Sequence, residues 1–125
     1  MMTPLLQVAL GGALGASARY LTNTTVTRLL GHGFPVGTLM VNIVGSFLMG
    51  VLVVVLAKKG GQAAAPFLMT GILGGFTTFS AFSLDAVTLY ERGQAAAAMG
   101  YVLGSVVVSI LALMAGLMLA RMVLA

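Results

Sequence analysis

The sequence predicts an all-α membrane protein with four transmembrane helices in one chain, the third of them broken. Three observations predict it. Of 125 residues, 60% are hydrophobic and only 6% charged, more apolar surface than a folded chain of this size hides from water. Lipid is then the solvent. The apolar residues fall into four long runs separated by short stretches of glycine, proline and charge. The third run holds tandem Gly74-Gly75 and tandem Thr77-Thr78, which weaken a helix at membrane depth. A carbonyl freed there must find a partner or an ion, because hydrocarbon offers none.

The first helix is expected over residues 4–30, with Pro4 at a position whose N–H needs no partner. The N-terminal apolar stretch resembles a signal peptide but lacks a charged leading region, since its first basic residue is Arg19. It is read as a retained first crossing. Gly31-His32-Gly33-Phe34-Pro35 forms a turn, and the second helix covers 36–57. Lys58-Lys59-Gly60-Gly61 ends it, favourably for a helix C-terminus. The third segment, 63–91, is longer than one straight crossing needs, with a break near 74–79. Broken helices near the midplane build ion sites from backbone carbonyls and helix ends. Arg92-Gly93 is the next turn, and the fourth helix covers 94–122. One domain, 1–125, is expected. Gly11 and Gly15, Gly71 and Gly75, and Gly100 and Gly104 recur at four-residue spacing, which reads as close helix packing.

The same composition removes whole classes of function. With no cysteine there is no disulfide or thiolate chemistry. One histidine, His32, and two acids, Asp85 and Glu91, leave little for metal ligation or acid–base catalysis. The chain is read as not an enzyme. A net charge of +4 comes from scattered basic residues that make no patch, so no nucleic-acid partner is expected. The glycine-rich stretches lack the lysine of a phosphate-binding loop.

Four crossings put Lys58, Lys59 and Arg121 at one face and Arg28, Arg92 and, deeper, Arg19 at the other. Lys/Arg asymmetry normally orients a membrane protein. Its absence predicts dual topology and an antiparallel homodimer, in which a two-fold axis brings both broken segments together; a small uneven count that still fixes one orientation is the other reading.

Several polar residues lie within the crossings. Asn42 offers two N–H donors that suit an anion; an interhelical hydrogen bond, worth about 0.6 kcal/mol on average, is the other role that fits. Thr38 is one turn earlier on its face. Phe79 and Phe82 share a helix face, and their positive ring edges suit a small anion in a dry passage; plain packing fits them too. Tyr101, Ser105 and Ser109 recur every four residues as a hydroxyl stripe able to replace part of a hydration shell, unless the serines bond back to their own helix. Arg19 costs roughly 2.5–3.5 kcal/mol at a helix centre, so it faces a watery vestibule that gathers anions or anchors at the interface beside Tyr20. Asp85 is expected to cap or pair near an interface.

Gly12-Ala13-Leu14-Gly15-Ala16-Ser17-Ala18-Arg19-Tyr20, Gly37-Thr38-Leu39-Met40-Val41-Asn42-Ile43-Val44-Gly45-Ser46-Phe47 and Gly71-Ile72-Leu73-Gly74-Gly75-Phe76-Thr77-Thr78-Phe79-Ser80 together resemble the Fluc (CrcB) fluoride-channel family, along the whole chain. The resemblance implies a dual-topology homodimer in the bacterial cytoplasmic (inner) membrane, exporting F⁻ passively through two antiparallel pores. It implies a structural Na⁺ at the dimer centre, held by the backbone carbonyls of Gly74 and Thr77. By the same resemblance Asn42, Phe79, Phe82, Thr38, Ser80, Tyr101, Ser105 and Ser109 line the fluoride pathway, and Arg19 belongs to the vestibule. Ala81 departs from the family pattern, which usually has Thr there, so a hydroxyl is missing beside the two rings. Small multidrug exporters share the four-helix plan but depend on a glutamate in the first helix, which here has no acid. A non-transporting membrane scaffold would need neither the polar stripe nor the break.

Overall fold

The computed structural model describes residues 3–125, and every described helical element belongs to an all-α arrangement. Met1 and Met2, part of the expected domain 1–125, lie outside the described residues. Helix α1 spans Pro4–Leu30. It starts where Thr3 Oγ1 accepts the Leu6 N–H at 3.2 Å, a side-chain cap with proline in the first turn. Helix α2 spans Val36–Lys59, two residues beyond the expected end, with Lys58 and Lys59 in its last turn.

The third crossing, Gln62–Glu91, is not one helix. A 3₁₀ turn at Gln62–Ala64 leads into a π-helix at Pro66–Leu73 and a single α-turn at Gly74–Phe76, here α3. The chain then leaves helical geometry over Thr77–Phe79 and resumes as α4, Ser80–Glu91. The break therefore falls within the expected region but spares the tandem glycines, which stay helical. Helix α5, Ala95–Val123, follows a turn in which Gly93 takes φ 80°; the Gln94 N–H reaches back to the Leu89 carbonyl at 3.0 Å. That closing bond needs a left-handed residue, which glycine adopts without penalty.

Two seams hold the bundle. α1 lies against the third crossing, where a Cβ added to Gly11 would sit 2.9 Å from Gly71 Cα and one added to Gly75 would sit 2.8 Å from the Gly12 carbonyl oxygen. α2 lies along α5 in the same direction: Gly50 meets Leu113 and Leu117, and Gly116 meets Phe47 and Val51. Small residues thus let backbones touch. Gly100 and Gly104 do not join either seam, since a Cβ at each would meet nothing within 4 Å. Their expected packing role is not fulfilled inside one chain.

Few large side chains are buried; Tyr101, Leu89 and Val41 are the largest fully enclosed among the described residues. Leucines, valines and methionines of α5 instead face outward, as expected when hydrocarbon is the solvent. Among the described residues, Val36–Lys59, Gln62–Glu91 and Ala95–Val123 are long and apolar enough to cross a membrane. α1 falls short of that apolarity because Gln7, Arg19, Asn23 and the threonines of its last turns interrupt it. Its glycine-rich half is nonetheless seated on the third crossing.

Candidate ion pathway

The break is built by hydrogen bonds that replace those a continuous helix would make. Thr77 is extended (φ −90°, ψ 159°), and its N–H and Oγ1 both donate to the Leu73 carbonyl at 3.0 Å. The Thr78 N–H, which would otherwise close on Gly74, donates to Asn42 Oδ1 at 2.8 Å. Asn42 Nδ2 donates in return to the Thr78 carbonyl at 3.0 Å. The amide of α2 therefore pairs with the Thr78 peptide as a neighbouring strand would. Arg19 Nε, from α1, donates to the Gly75 carbonyl at 3.0 Å. On the far side of the break, Thr78 Oγ1 accepts the Ala81 N–H at 3.2 Å and starts α4. That bond uses only the backbone of residue 81, so alanine there leaves it intact.

An open groove of about 320 Å³ runs between α2, the break and α5. It gathers Asn42, Thr77, Thr78, Phe79, Phe82, Ser105 and Ser109 on one wall or another, with Met49, Val106 and Ile110 making it largely apolar. The Phe79 and Phe82 rings lie 5.4 Å apart at 59°. Phe82 is buried, whereas Phe79 is 76% exposed on the surface of the single chain. Ser105 Oγ and Ser109 Oγ are buried and have no hydrogen-bond partner among the described residues. Neither serine bonds back to its own helix, so both hydroxyls are available to something in the groove. Asn42 likewise has one N–H to spare beyond its bond to Thr78.

A second, more polar cavity of about 510 Å³ opens at the end of the bundle formed by the α1–α2 loop and the end of α4. Thr38, Asn23, Asp85, Thr88 and Arg92 line it. Arg92 Nη1 reaches the His32 carbonyl at 3.5 Å across its rim. Tyr101 lines neither space but touches residues of both. Its hydroxyl donates to Asp85 Oδ2 at 3.1 Å, and its ring rests 5.2 Å from Phe82 and 5.4 Å, edge-on, from Phe34.

The expected pathway residues thus divide by place. Asn42, Phe79, Phe82, Ser105 and Ser109 meet in the groove, and Thr38 lines the end cavity. Ser80 lines neither; its Oγ lies 3.3 Å from Thr78 Oγ1. Arg19 is half-buried at the break, and Gly74 is exposed there with the amide that would cover its carbonyl turned to Asn42. Two contributors escaped sequence reasoning. Thr78 could have been found, because a hydroxyl three residues before a helical N–H is a capping pattern. The pairing of Asp85 with Tyr101 had no local signal, since 16 residues separate them in the chain.

Residues 6–117 match the family model described as CrcB-like protein, Camphor Resistance (CrcB). The chain belongs to the CrcB family. Relatives within it include proteins named fluoride-specific ion channel FluC. One from Cereibacter sphaeroides is 72% identical over 121 residues, covering 97% of both chains. One from Paracoccus denitrificans is 61% identical over 121 residues with the same coverage, and one from Agrobacterium fabrum is 55% identical over 116 residues, 91% of this chain and 93% of its own.

Proposed function

We propose that this CrcB-family protein is a passive, fluoride-selective channel of the bacterial cytoplasmic membrane, which it crosses several times, and that it lowers intracellular fluoride. The observation that carries the reading is a pair of buried, unpartnered serine hydroxyls facing two phenylalanines in one groove, in a chain 72% identical to a protein named for fluoride conduction. A small anion leaving water needs donors that are not already engaged. Ser105, Ser109 and the second Asn42 N–H supply them, and the ring edges of Phe79 and Phe82 add weak positive potential without a fixed charge that would trap it. Thr38 and Tyr101 continue the route from the end cavity, and Ser80 stands beside the break. Arg19 adds positive charge at the vestibule side. Export is driven by the membrane potential, about 2.3 kcal/mol per charge per 100 mV.

The channel is an antiparallel, dual-topology homodimer with four crossings per chain. Two features support this. The groove is open and Phe79 is exposed, so one chain leaves a wall missing. The basic residues also balance between the two ends. A structural Na⁺ at the dimer centre would be held by the carbonyls of Gly74 and Thr77. The donor set fits: both lie at the break, and the redirected Thr78 N–H leaves the Gly74 carbonyl without its helical partner. Carbonyl oxygens replace a hard cation's hydration shell, and the ion would fix the two breaks against each other.

The test is halide efflux from liposomes holding the purified protein. Fluoride should leave much faster than chloride, and equal rates would overturn the assignment. Single cysteines placed in the loops of this cysteine-free chain should label from both membrane faces; labelling from one face alone would reject dual topology.

A further inference from the structure

We propose that Arg19 is a positioning residue that, with Asn42, clamps the third crossing in its broken form, a role separate from any attraction its charge exerts on anions. This rests on the channel reading. In an unbroken helix the Gly74 and Gly75 carbonyls would accept from the N–H groups four residues on, at Thr78 and Phe79. Side chains from other helices take over one group of each lost pair, the Thr78 N–H of the first and the Gly75 carbonyl of the second. Asn42 Oδ1 takes the Thr78 N–H at 2.8 Å, and Arg19 Nε covers the Gly75 carbonyl at 3.0 Å. One engages a freed N–H and the other a freed carbonyl, from different helices, α2 and α1 respectively. Together they hold the broken segment from both sides.

The chemistry suits each partner. Gly75 lies in the last turn of the half-helix that ends at Phe76, where unpaired carbonyls carry negative partial charge and a guanidinium is favoured. Asn42 presents one donor and one acceptor, the complement of one residue's backbone N–H and carbonyl, and so fixes Thr78 by both. Without Arg19, the Gly75 carbonyl at membrane depth regains a partner only if the helix continues through Phe79. Continuation would turn Phe79 and Phe82 relative to Ser105 and Ser109, because each added helical residue rotates the chain by about 100°. Arg19 therefore sets the groove's wall without having to touch the ion.

Salt separates this role from a vestibule charge. Attraction by a solvent-facing cation is screened as the Debye length falls from about 30 Å at 0.01 M to about 3 Å at 1 M. A hydrogen bond to a half-buried carbonyl is not. Arg19→Gln should lower fluoride efflux from liposomes by about tenfold or more, as expected on losing a charge-assisted hydrogen bond. The ratio to wild type should stay the same when an impermeant salt is raised from about 0.01 M to about 1 M. A deficit that vanishes at high salt, or no deficit, overturns the clamp.

A second measurement needs no variant. In wild-type protein in bilayers, solid-state NMR recoupling between Arg19 ¹⁵Nε and the Gly75 ¹³C carbonyl should show the two in direct contact. Missing dephasing overturns the proposal even if Arg19→Gln fails to fold. If wild-type protein carries no fluoride, the channel reading fails and this NMR contact alone decides the clamp.

Discussion

Replacing Ser105 by alanine should make the protein more stable and the channel slower, an opposition that follows from one buried hydroxyl. Ser105 is 5% exposed, and its Oγ has no partner among the described residues. A buried hydroxyl left unsatisfied costs about 1–3 kcal/mol. Alanine removes that cost and adds a few tenths of a kcal/mol, roughly 0.5, in helix propensity. Stability should therefore rise by about 1–3 kcal/mol, read as a higher midpoint in denaturant titration of the protein in detergent. The same hydroxyl is a donor to a passing anion. Hydrogen bonds to charged groups contribute about 1.5–3 kcal/mol, so fluoride efflux should fall about tenfold or more. Ser83→Ala is the matched control: its exposed Oγ donates to the Phe79 carbonyl at 3.0 Å, outside the groove, and its stability should stay within about 0.5 kcal/mol of wild type. A Ser105→Ala protein that loses stability while conducting normally would show that the hydroxyl is a structural bond, and the reasoning would fail.

Phe82→Ile should slow fluoride efflux while the protein still migrates as its native assembly in size-exclusion chromatography; normal efflux would remove the ring from the pathway. Gly15→Ala should destabilise by about 1–3 kcal/mol or more, since the new methyl would lie 2.9 Å from the Ile72 carbonyl carbon, whereas Gly12→Ala, with nothing within 4 Å, should be tolerated; equal denaturation midpoints would contradict the seam. Tyr101→Phe leaves the half-buried Asp85 carboxylate without its donor and should lower stability by about 1–3 kcal/mol; an unchanged midpoint would make that bond incidental. Exchanging Na⁺ for a large organic cation throughout purification should weaken the assembly, and indifference in size-exclusion chromatography would argue against a bound ion.

The all-helical plan is legible in the sequence because lipid permits little else: an apolar run of crossing length must satisfy its own backbone. The place of the break is less legible. Tandem Gly74-Gly75 points to unwinding at the glycines, yet Gly75 is needed small for a different reason, its approach to Gly12, and it stays helical. The chain opens one turn later, where Thr77 and Thr78 can bond the backbone themselves. The two roles that fit Asn42 also cannot be separated by pattern. Its partner, the Thr78 peptide, is 36 residues away, and only the fold shows that one N–H remains after both bonds are made. Gly100 and Gly104 repeat the spacing of Gly11 and Gly15, but spacing does not say which surface a face meets.

The glycine seam and the break act as one device. Gly15 and Arg19 are one helical turn apart on α1, and Gly71 and Gly75 are one turn apart on the third crossing, so the two pairs advance together along the contact. Where Gly11 and Gly71 meet, the backbones touch at a spacing that a single methyl group would not permit. That closeness brings α1 near enough for the Arg19 Nε to reach the Gly75 carbonyl. A wider seam would leave the guanidinium to water and the carbonyl to Phe79. Small residues in α1 thereby govern a polar opening on the opposite side of the third crossing, where Asn42 and the serines of α5 wait.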